Sequence, residues 1–360
     1  MKTSSWMTLV VNNPMFVFRQ TPKWPAVILL ATLFLSLSFL SGCQSKSPEL
    51  KVHQGMTMGT TFTAKWYSSD TQLDASLANE IDQVLRRVNQ SMSTYISDSE
   101  LSLFNQLPVN SSMEISPELA FIIGLGMDIS DRSSGAFDIT VGPLVNLWGF
   151  GPDGRVIRAP TEQEISDVQS RVGYQFITLK DNKLAKTKNS YVDLSAIAKG
   201  YGVDAISELL EQNGINSYLV EIGGELRAKG LKINGQSWRI AIESPLNSAE
   251  RAVHKVIAVR DVGIATSGDY RNYFEENGVR FSHTIDPNTA RPISHQLASV
   301  TVLARSCAEA DGLATAMMVM GPERALAFAE AEPIDALLLV KTPQGFKELM
   351  TSGFDQYLVQ

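Results

Sequence analysis

Six short strand-like segments in the second half of the chain constrain its fold more than any other feature. They have the sequences SYLVEI, WRIAIE, KVIAVR, GIATS, RFSHTI and SVTVLA, and glycine, asparagine and proline residues lie between them. In the first half, residues 58–67 alternate like a strand, whereas apolar residues recur at helical spacing from Leu73 to Val88 and again near 117–130. This mixture predicts an α+β fold that is rich in strands in its second half.

The segments between these elements predict how they are joined. Residues 191–194 (YVDL) predict a strand that leads into a helix, and Asn213-Gly214 is expected to end that helix. Gly223-Gly224 permits either a bulge or a close approach of the backbone to a ligand. No fixed-period repeat or low-complexity linker divides the chain, so we expect one compact unit with a helical insertion around residues 100–175.

The N-terminal region has the pattern of an export signal. Arg19 and Lys23 precede 15 uncharged residues, Ala26 to Leu40, and Leu-Ser-Gly-Cys ends the run at Cys43. A membrane-spanning helix needs about 20 apolar residues, so this run better fits the hydrophobic part of a signal peptide. The segment resembles a bacterial lipoprotein signal, in which the cysteine carries the lipid; the alternative is a plain anchor with a chance cysteine.

This interpretation divides the chain into a signal peptide (residues 1–42), a short polar tether (43–51) and a folded domain (52–360). The long segment before the hydrophobic run leaves Met15 as an alternative start. Acyl chains on Cys43 would hold the protein on a membrane without a spanning helix. Gln44 stands where an aspartate would favour retention in the inner membrane, so the outer membrane stays possible.

Charge and cysteine content exclude several classes of function. Residues 1–42 carry three basic and no acidic residues, which leaves 28 basic and 38 acidic residues in the remainder, a net charge of −10. Binding of nucleic acid by bulk charge is therefore not expected. Two cysteines cannot build a disulfide framework, the four histidines lack zinc spacing, and no Gly-x-Ser-x-Gly motif indicates a serine hydrolase.

Asp311 and Thr315 are the strongest candidates for a cation site. Ser306 and Glu309 form a Ser-x-x-Glu capping pattern, so the segment that follows is predicted to be a helix with Asp311 and Thr315 on one face. A carboxylate and a hydroxyl suit a hard cation such as Mg²⁺ better than zinc. By spacing alone, the two side chains could instead complement the helix dipole and bond to the backbone.

Three other polar groups are candidates for the same site. Asp138 lies in a turn-bounded segment, and Asp193 precedes a helix, where backbone N–H groups can bind phosphate. His283 precedes an Asp-Pro turn in a strand-like run, where it could reach a substrate hydroxyl. Taken singly, each carboxylate could be a helix cap and the histidine could be structural.

Eight segments occur in order between Met58 and Gly321, and their joint occurrence behind a lipoprotein signal resembles the ApbE family, the FAD:protein FMN transferases. The segments are MGTTF, MSTYISDSELSLFN, GAFDITVGPLVNLWGFGP, YVDLSAIAKGYGVD, YLVEIGGEL, GIATSGDYRNYF, SHTIDPNTARPI and EADGLATAMMVMG. The resemblance implies a T-fold-like α+β architecture, bound FAD and Mg²⁺. It also implies transfer of FMN from FAD to a threonine hydroxyl of a partner protein, with release of AMP.

The resemblance also assigns residues to roles. It implies Mg²⁺ ligation by Asp311, Thr315 and the backbone oxygen of Ala196, and it makes His283 the candidate base, with Asp286, Asp269 or a substrate phosphate as alternatives. The family often has threonine or serine at Ala196 and sometimes an acidic residue at Ala314, so this site has one carboxylate fewer. The residues implied to line the FAD site are Met58, Tyr95, Ala136, Phe137, Asp138, Asp193, Lys199 and Ile285.

The acceptor implied by the resemblance carries the motif Asp-x-x-Ser/Thr-Gly-Ala/Ser-Thr. Expected partners are membrane subunits of the sodium-translocating NADH:quinone reductase and of the Rnf complex, on the periplasmic side of the inner membrane. Two other functions fit the same residues: an Mg²⁺-dependent FAD pyrophosphatase that gives FMN and AMP, and a periplasmic lipoprotein that binds FAD without chemistry. A purely structural envelope lipoprotein is the remaining alternative.

Overall fold

The computed structural model describes residues 47–151, 154, 158–245, 252–269, 273–276 and 279–359. The predicted signal peptide, Cys43 and residues 44–46 of the predicted tether lie outside the described residues. Within the described ranges, no helix is both long and apolar enough to cross a membrane. As the sequence predicts, helices and strands are mixed in one compact unit.

The strands and helices are numbered here in chain order. The strands of the described part are β1 (Glu49–Thr57), β2 (Thr60–Ser68), β3 (Ser112–Glu114), β4 (Ile177–Lys180), β5 (Lys183–Lys186), β6 (Tyr218–Ile222), β7 (Glu225–Lys229), β8 (Trp238–Glu243), β9 (Val253–Val259), β10 (Val262–Gly268), β11 (Tyr273–Glu276), β12 (Val279–Ser282), β13 (Ile285–Asp286), β14 (Arg291–Pro292), β15 (Leu297–Ala304), β16 (Asp335–Thr342) and β17 (Gly345–Met350). The α-helices are α1 (Thr71–Met92), α2 (Glu100–Gln106), α3 (Pro117–Arg132), α4 (Gly142–Leu147), α5 (Glu162–Gln169), α6 (Ala198–Gln212), α7 (Cys307–Met320) and α8 (Pro322–Ala331).

An eight-stranded antiparallel sheet forms the centre of the fold, in the order β1-β2-β6-β7-β10-β15-β16-β17. A three-stranded sheet (β3-β5-β4) and the pairs β8-β9, β11-β12 and β13-β14 lie outside it. Gly223-Gly224 forms the two-residue turn between β6 and β7, with φ of +62° and +110°. The turn thus uses the left-handed freedom of glycine, and it is a hairpin rather than a bulge.

The core lies on both faces of the central sheet because its strands alternate. In β16, Ala336 and Leu338 pack with α1, α6 and α7 in the main hydrophobic cluster, whereas Leu337 and Leu339 face the opposite side. On that opposite side they pack with residues of the β8-β9 hairpin and with Phe354 of a C-terminal 3₁₀ turn. Helices thus cover one face of the sheet, and a hairpin covers part of the other.

Helix α7 is held unusually close to its neighbours, because two glycines contact its first residues. A Cβ atom at Gly200 of α6 would lie 2.5 Å from the carbonyl oxygen of Cys307, and one at Gly263 of β10 would lie 2.4 Å from the backbone nitrogen of Cys307. Any side chain at either position would therefore push α7 away. This packing fixes the helix that carries Asp311 and Thr315 against α6 and β10.

Four local predictions differ from the structure. The first strand begins at Glu49, so residues 49–51 belong to the fold and not to the tether. Residues 191–194 form no strand; their backbone bonds to the 138–140 turn instead, through the N–H of Asp193 and the carbonyl of Ile139 at 2.7 Å. His283 lies in a bend between β12 and β13. The helices expected around residues 100–175 are present, but α3 packs into the main core and is no insertion.

Candidate active site

A cavity of about 410 Å³ lies beside the N-terminal part of α6 and the middle of α7. Helix α7, the segment before α6, the β6-β7 turn, the end of β10 and the bend before β13 all contribute to its wall. Its polar lining consists of Tyr95, Asp138, Asp193, Ser195, Lys199, Glu225, Thr266, Ser267, His283, Thr284, Asp311 and Thr315. The cavity therefore gathers side chains from distant parts of the sequence.

Asp311 is positioned by α6. It is 5% exposed, and its Oδ2 accepts a hydrogen bond from the backbone N–H of Gly200 at 3.1 Å. In a regular helix that N–H would donate to the carbonyl of Ala196, which lines the cavity just before α6 begins. This hydrogen bond thus positions the Asp311 carboxylate. It also leaves the Ala196 carbonyl without the N–H donor that a regular helix would give it.

Lys199 lies between two buried carboxylates. Its Nζ is 3.0 Å from Oε1 of Glu225 and 3.7 Å from Oδ2 of Asp311. Glu225 is 5% exposed, and its Oε2 is buried without a hydrogen-bond partner among the described residues. A buried carboxylate oxygen without a partner is costly, so this side of the cavity suits a cation or a hydrogen-bond donor.

The electrostatics follow from burial and from this charge cluster. Burial raises the pKa of Asp311 to about 7, Lys199 opposes the shift, and Glu225 adds to it. Burial would lower the pKa of Lys199, but the attraction of Asp311 and Glu225 exceeds that effect and raises it. Lys199 thus stays protonated, whereas the charge of Asp311 depends on what else binds beside it.

Asp204 of α6 fixes the beginning of α7. Its Oδ1 accepts from the backbone N–H of Cys307 at 3.0 Å, and its Oδ2 accepts from that of Ala308 at 2.9 Å. These are two of the N–H groups that the first turn of a helix leaves without partners. Arg227 of β7 donates to Oδ1 of the same carboxylate at 2.9 Å. Asp204 therefore ties α6, α7 and β7 together beneath the cavity.

Asp138 and Asp193 shape the opposite wall through turns. Asp138 accepts from the N–H and hydroxyl of Thr140 at 2.7 Å each and from the N–H of Tyr174 at 3.0 Å, and burial raises its pKa. Asp193 accepts from the N–H of Ser195 at 2.8 Å. Each carboxylate thereby holds a backbone segment that lines the cavity.

His283 lies at the aromatic side of the cavity. Its ring packs edge-on against Phe150, with 6.3 Å between ring centroids, and both residues line the cavity. Phe150 in turn contacts Phe274 of β11, which stacks on Phe281 of β12. Tyr95 lines the cavity as well but is 71% exposed, so its ring is free to cover a ligand.

The structure brings together nearly all residues that the sequence singled out for this site. Met58 does not line the cavity: it lies in the β1-β2 turn with φ of +48° and packs near Gly202. Cys43 lies outside the described residues. The predicted residues that do line the cavity are Tyr95, Ala136, Phe137, Asp138, Asp193, Ala196, Lys199, His283, Ile285, Asp311 and Thr315.

The donors that the structure gathers fit a hard cation. No group of three or more histidine, cysteine, aspartate or glutamate side chains is clustered for a metal within the described ranges. The cavity instead is lined by Asp311, Thr315 and Ala196, residues that carry a carboxylate, a hydroxyl and a backbone carbonyl oxygen. Such a set suits Mg²⁺ that also retains water and phosphate oxygens. Ala314 is 1% exposed in the main core, so an acidic side chain there would need a rearranged helix.

Sequence reasoning missed Glu225, Asp204 and Phe150. Glu225 follows the Gly-Gly turn directly, and the alternation of β7 could have indicated which way it faces. Asp204 and Phe150 carry no local signal, because the α7 backbone that Asp204 caps and the His283 ring that Phe150 contacts lie more than 100 residues away in the sequence.

Comparisons with known proteins agree on one family. Residues 58–338 match the family model described as the ApbE family. A FAD:protein FMN transferase from Vibrio cholerae is 48% identical over 326 residues, which cover 90% of this chain and 97% of that protein. One from Haemophilus influenzae is 46% identical over 323 residues, with 88% and 93% covered. The structure of the flavin transferase ApbE from Vibrio cholerae superposes with a TM-score of 0.80 at 46% identity, over 86% of this chain and 100% of that one.

Proposed function

Because this chain belongs to the ApbE family, we propose that it transfers FMN from FAD to a threonine hydroxyl of a partner protein, with Mg²⁺ and with release of AMP. One observation supports this most: Asp311, Thr315 and Ala196, predicted to hold Mg²⁺, share a cavity with Lys199 and Glu225. The Oε2 atom of Glu225 is buried without a hydrogen-bond partner among the described residues. Both charge and donor type in this cavity suit a metal-bound diphosphate.

The reaction is a substitution at phosphorus. The threonine oxygen forms a bond to the phosphorus of the FMN half of FAD, the bond from that phosphorus to the bridging oxygen breaks, and AMP leaves with that oxygen. The threonine proton passes to a base. Mg²⁺ supplies neutralisation of charge on the diphosphate oxygens, usually the larger electrostatic contribution to such transfers.

The chain's own residues bind and orient FAD, and one of them accepts the proton. Lys199 places a permanent positive charge against the diphosphate, and Glu225 holds its ammonium group in position. The turns held by Asp138 and Asp193 present backbone groups to the dinucleotide. Tyr95, at the exposed mouth, covers the bound flavin compound.

His283 is the base that the geometry favours. It lines the cavity, whereas Asp269 and Asp286 do not. Oδ2 of Asp269 lies 2.6 Å from Nζ of Lys341. The carboxylate of Asp286 accepts hydrogen bonds within its own turn, from the N–H of Asn288 and the hydroxyl of Thr289. General bases of this kind contribute about 10²- to 10⁴-fold to a rate.

The location and partners of the protein complete the proposal. Lipid on Cys43 would hold it on the periplasmic side of a bacterial membrane, near acceptors that carry the motif Asp-x-x-Ser/Thr-Gly-Ala/Ser-Thr. Subunits of the sodium-translocating NADH:quinone reductase and the Rnf complex are the proposed acceptors. Confinement to one surface would raise the effective concentration of enzyme and acceptor.

One incubation tests the function. The protein is mixed with FAD, Mg²⁺ and a purified acceptor that carries the motif, and the acceptor is examined by in-gel flavin fluorescence and mass spectrometry. We expect a covalent FMN adduct on the motif threonine and equimolar AMP, both lost in EDTA. FMN and AMP that appear at the same rate without acceptor would identify a pyrophosphatase, and unchanged FAD would identify a binding protein.

Variants of the chain make the test specific. Asp311→Ala should abolish transfer while circular dichroism shows a folded protein, because it removes the only carboxylate proposed to bind Mg²⁺. Asp82→Ala is the matched control. Asp82 lies on α1, is partly exposed, and its carboxylate contacts the ring of His53 on β1. Full transfer by Asp311→Ala, or by wild type in EDTA, would refute the magnesium site.

A further inference from the structure

A second cavity, of about 420 Å³, lies on the other side of α4 from the first. Val141 and Val145 at α4 line the candidate active site, whereas Pro143, Asn146 and Leu147 line the second cavity. The two cavities share no lining residue. The second cavity is mostly polar: its wall contains three asparagines, a serine, a tyrosine and one arginine, and none of its lining residues is acidic.

Arg171 is the charged residue of this wall, and no carboxylate of the described part of the chain compensates its charge. Its Nε is buried without a hydrogen-bond partner, and its guanidinium group makes no ion pair with the described residues. Burying part of a guanidinium group without a hydrogen-bond partner costs more free energy than most single hydrogen bonds contribute to stability. A bound anion would compensate this cost.

Two lysines add positive charge around the same cavity. Lys186 is 1% exposed, and its Nζ donates to the carbonyls of Asn105 at 2.8 Å and Ser190 at 3.4 Å, both of them lining residues. Nζ of Lys188 donates at 2.8 Å to the carbonyl of Ser170, the neighbour of Arg171. Neither lysine forms an ion pair with a carboxylate in the described part of the chain. Burial lowers the pKa of Lys186, as expected for a cation without a counter-charge.

We propose that this cavity is a binding site for a small oxyanion, a phosphate or carboxylate group, with Arg171 as its principal contact. The guanidinium group offers paired N–H donors that match either group. The volume lies within the range of small-molecule sites, about 300–1,000 Å³. The site is distinct from the candidate active site, because the two cavities share no lining residue.

Isothermal titration of the intact protein tests the site and its ligand. The titrants are inorganic phosphate and, separately, malonate, in EDTA and with saturating FAD so that the first cavity is blocked. We expect saturable 1:1 binding of at least one titrant at millimolar concentration, and the preferred titrant distinguishes a phosphate from a carboxylate site. Absence of binding by both titrants under these conditions would overturn the proposal.

Two variants and a control locate the bound anion. Arg171→Gln should weaken binding at least tenfold. Asn189→Asp, which adds a negative charge at an exposed residue of the wall, should also weaken it, and it keeps the test valid if Arg171→Gln does not fold. Arg87→Gln is the matched control, because Arg87 is 57% exposed and pairs with Glu118 elsewhere. Wild-type affinity in a folded Arg171→Gln or Asn189→Asp variant would refute the site.

Discussion

The contact between Gly200 and the first residues of α7 predicts the effect of a single methyl group. A Cβ atom at Gly200 would lie 2.5 Å from the carbonyl oxygen of Cys307 and 2.7 Å from Cα of Ala308. Both are backbone atoms and cannot rotate away, so α6 and α7 would have to separate. Overpacking of this kind costs about 1–3 kcal/mol, which exceeds the gain of about 0.5–1 kcal/mol that alanine brings to a helix. Gly200→Ala should therefore lower the free energy of unfolding by up to about 2.5 kcal/mol.

The same substitution should affect the proposed metal site. The N–H of Gly200 donates to Asp311, so separation of the helices displaces the carboxylate from the Ala196 carbonyl. We expect the Mg²⁺ concentration that gives half-maximal FMN transfer to rise by about tenfold, since small displacements at a site are costly. A general loss of stability alone would leave this concentration unchanged in the folded fraction.

Urea unfolding followed by circular dichroism, together with Mg²⁺ titration of transfer, checks both effects. Gly124→Ala in α3 is the matched control, because its nearest contact would be Cδ2 of Leu179 at an ordinary 3.7 Å. That variant should gain about 0.5–1 kcal/mol from helix propensity. Equal stabilisation of both variants, with unchanged Mg²⁺ dependence, would refute the argument from close packing.

Three further predictions concern charge, proton transfer and capping. Burial raises the pKa of Asp311 to about 7, so protons compete with Mg²⁺ for this carboxylate below that pH. The Mg²⁺ concentration that gives half-maximal transfer should therefore rise about tenfold per pH unit between about pH 7 and 5. A half-maximal concentration that does not change with pH would contradict this. His283→Gln should lower kcat about 10²- to 10⁴-fold. The affinity for FAD, measured by fluorescence quenching, should stay within about twofold of the wild-type value. An unchanged kcat would exclude His283 as the base. Asp204→Asn should reduce the free energy of unfolding, measured in urea, by about 2 kcal/mol or more. The substitution weakens both the cap on the first turn of α7 and the buried ion pair with Arg227. A change below half that value would argue against the cap.

Local patterns predicted the elements well where one face is strongly apolar. Helix α1 follows from the spacing of Leu73 to Val88, and the Ser306 cap correctly begins α7. The pair Asp311 and Thr315 was found for the same reason, since helical periodicity alone places both on one face. These features depend on contacts within a few residues.

The sequence could not reveal features that depend on distant contacts. Residues 191–194 alternate like a strand, but their backbone groups bond to the 138–140 turn and to the side chain of Asn105. The close approach at Gly200 depends on α7, more than 100 residues later. Glu225 resembles an ordinary strand residue until the fold places it beside Lys199.

The strand order of the central sheet has a consequence for biogenesis. Phe62 of β2 pairs with Ile222 of β6, and the first cavity is lined by residues from Tyr95 to Val319. Pairing across such sequence separations is slow, because long loops must close before any contact forms. A growing chain that lacks α7 has no complete cavity, so a dinucleotide can be captured only after α7 has been synthesised. The protein therefore acquires its dinucleotide in whichever compartment it completes folding.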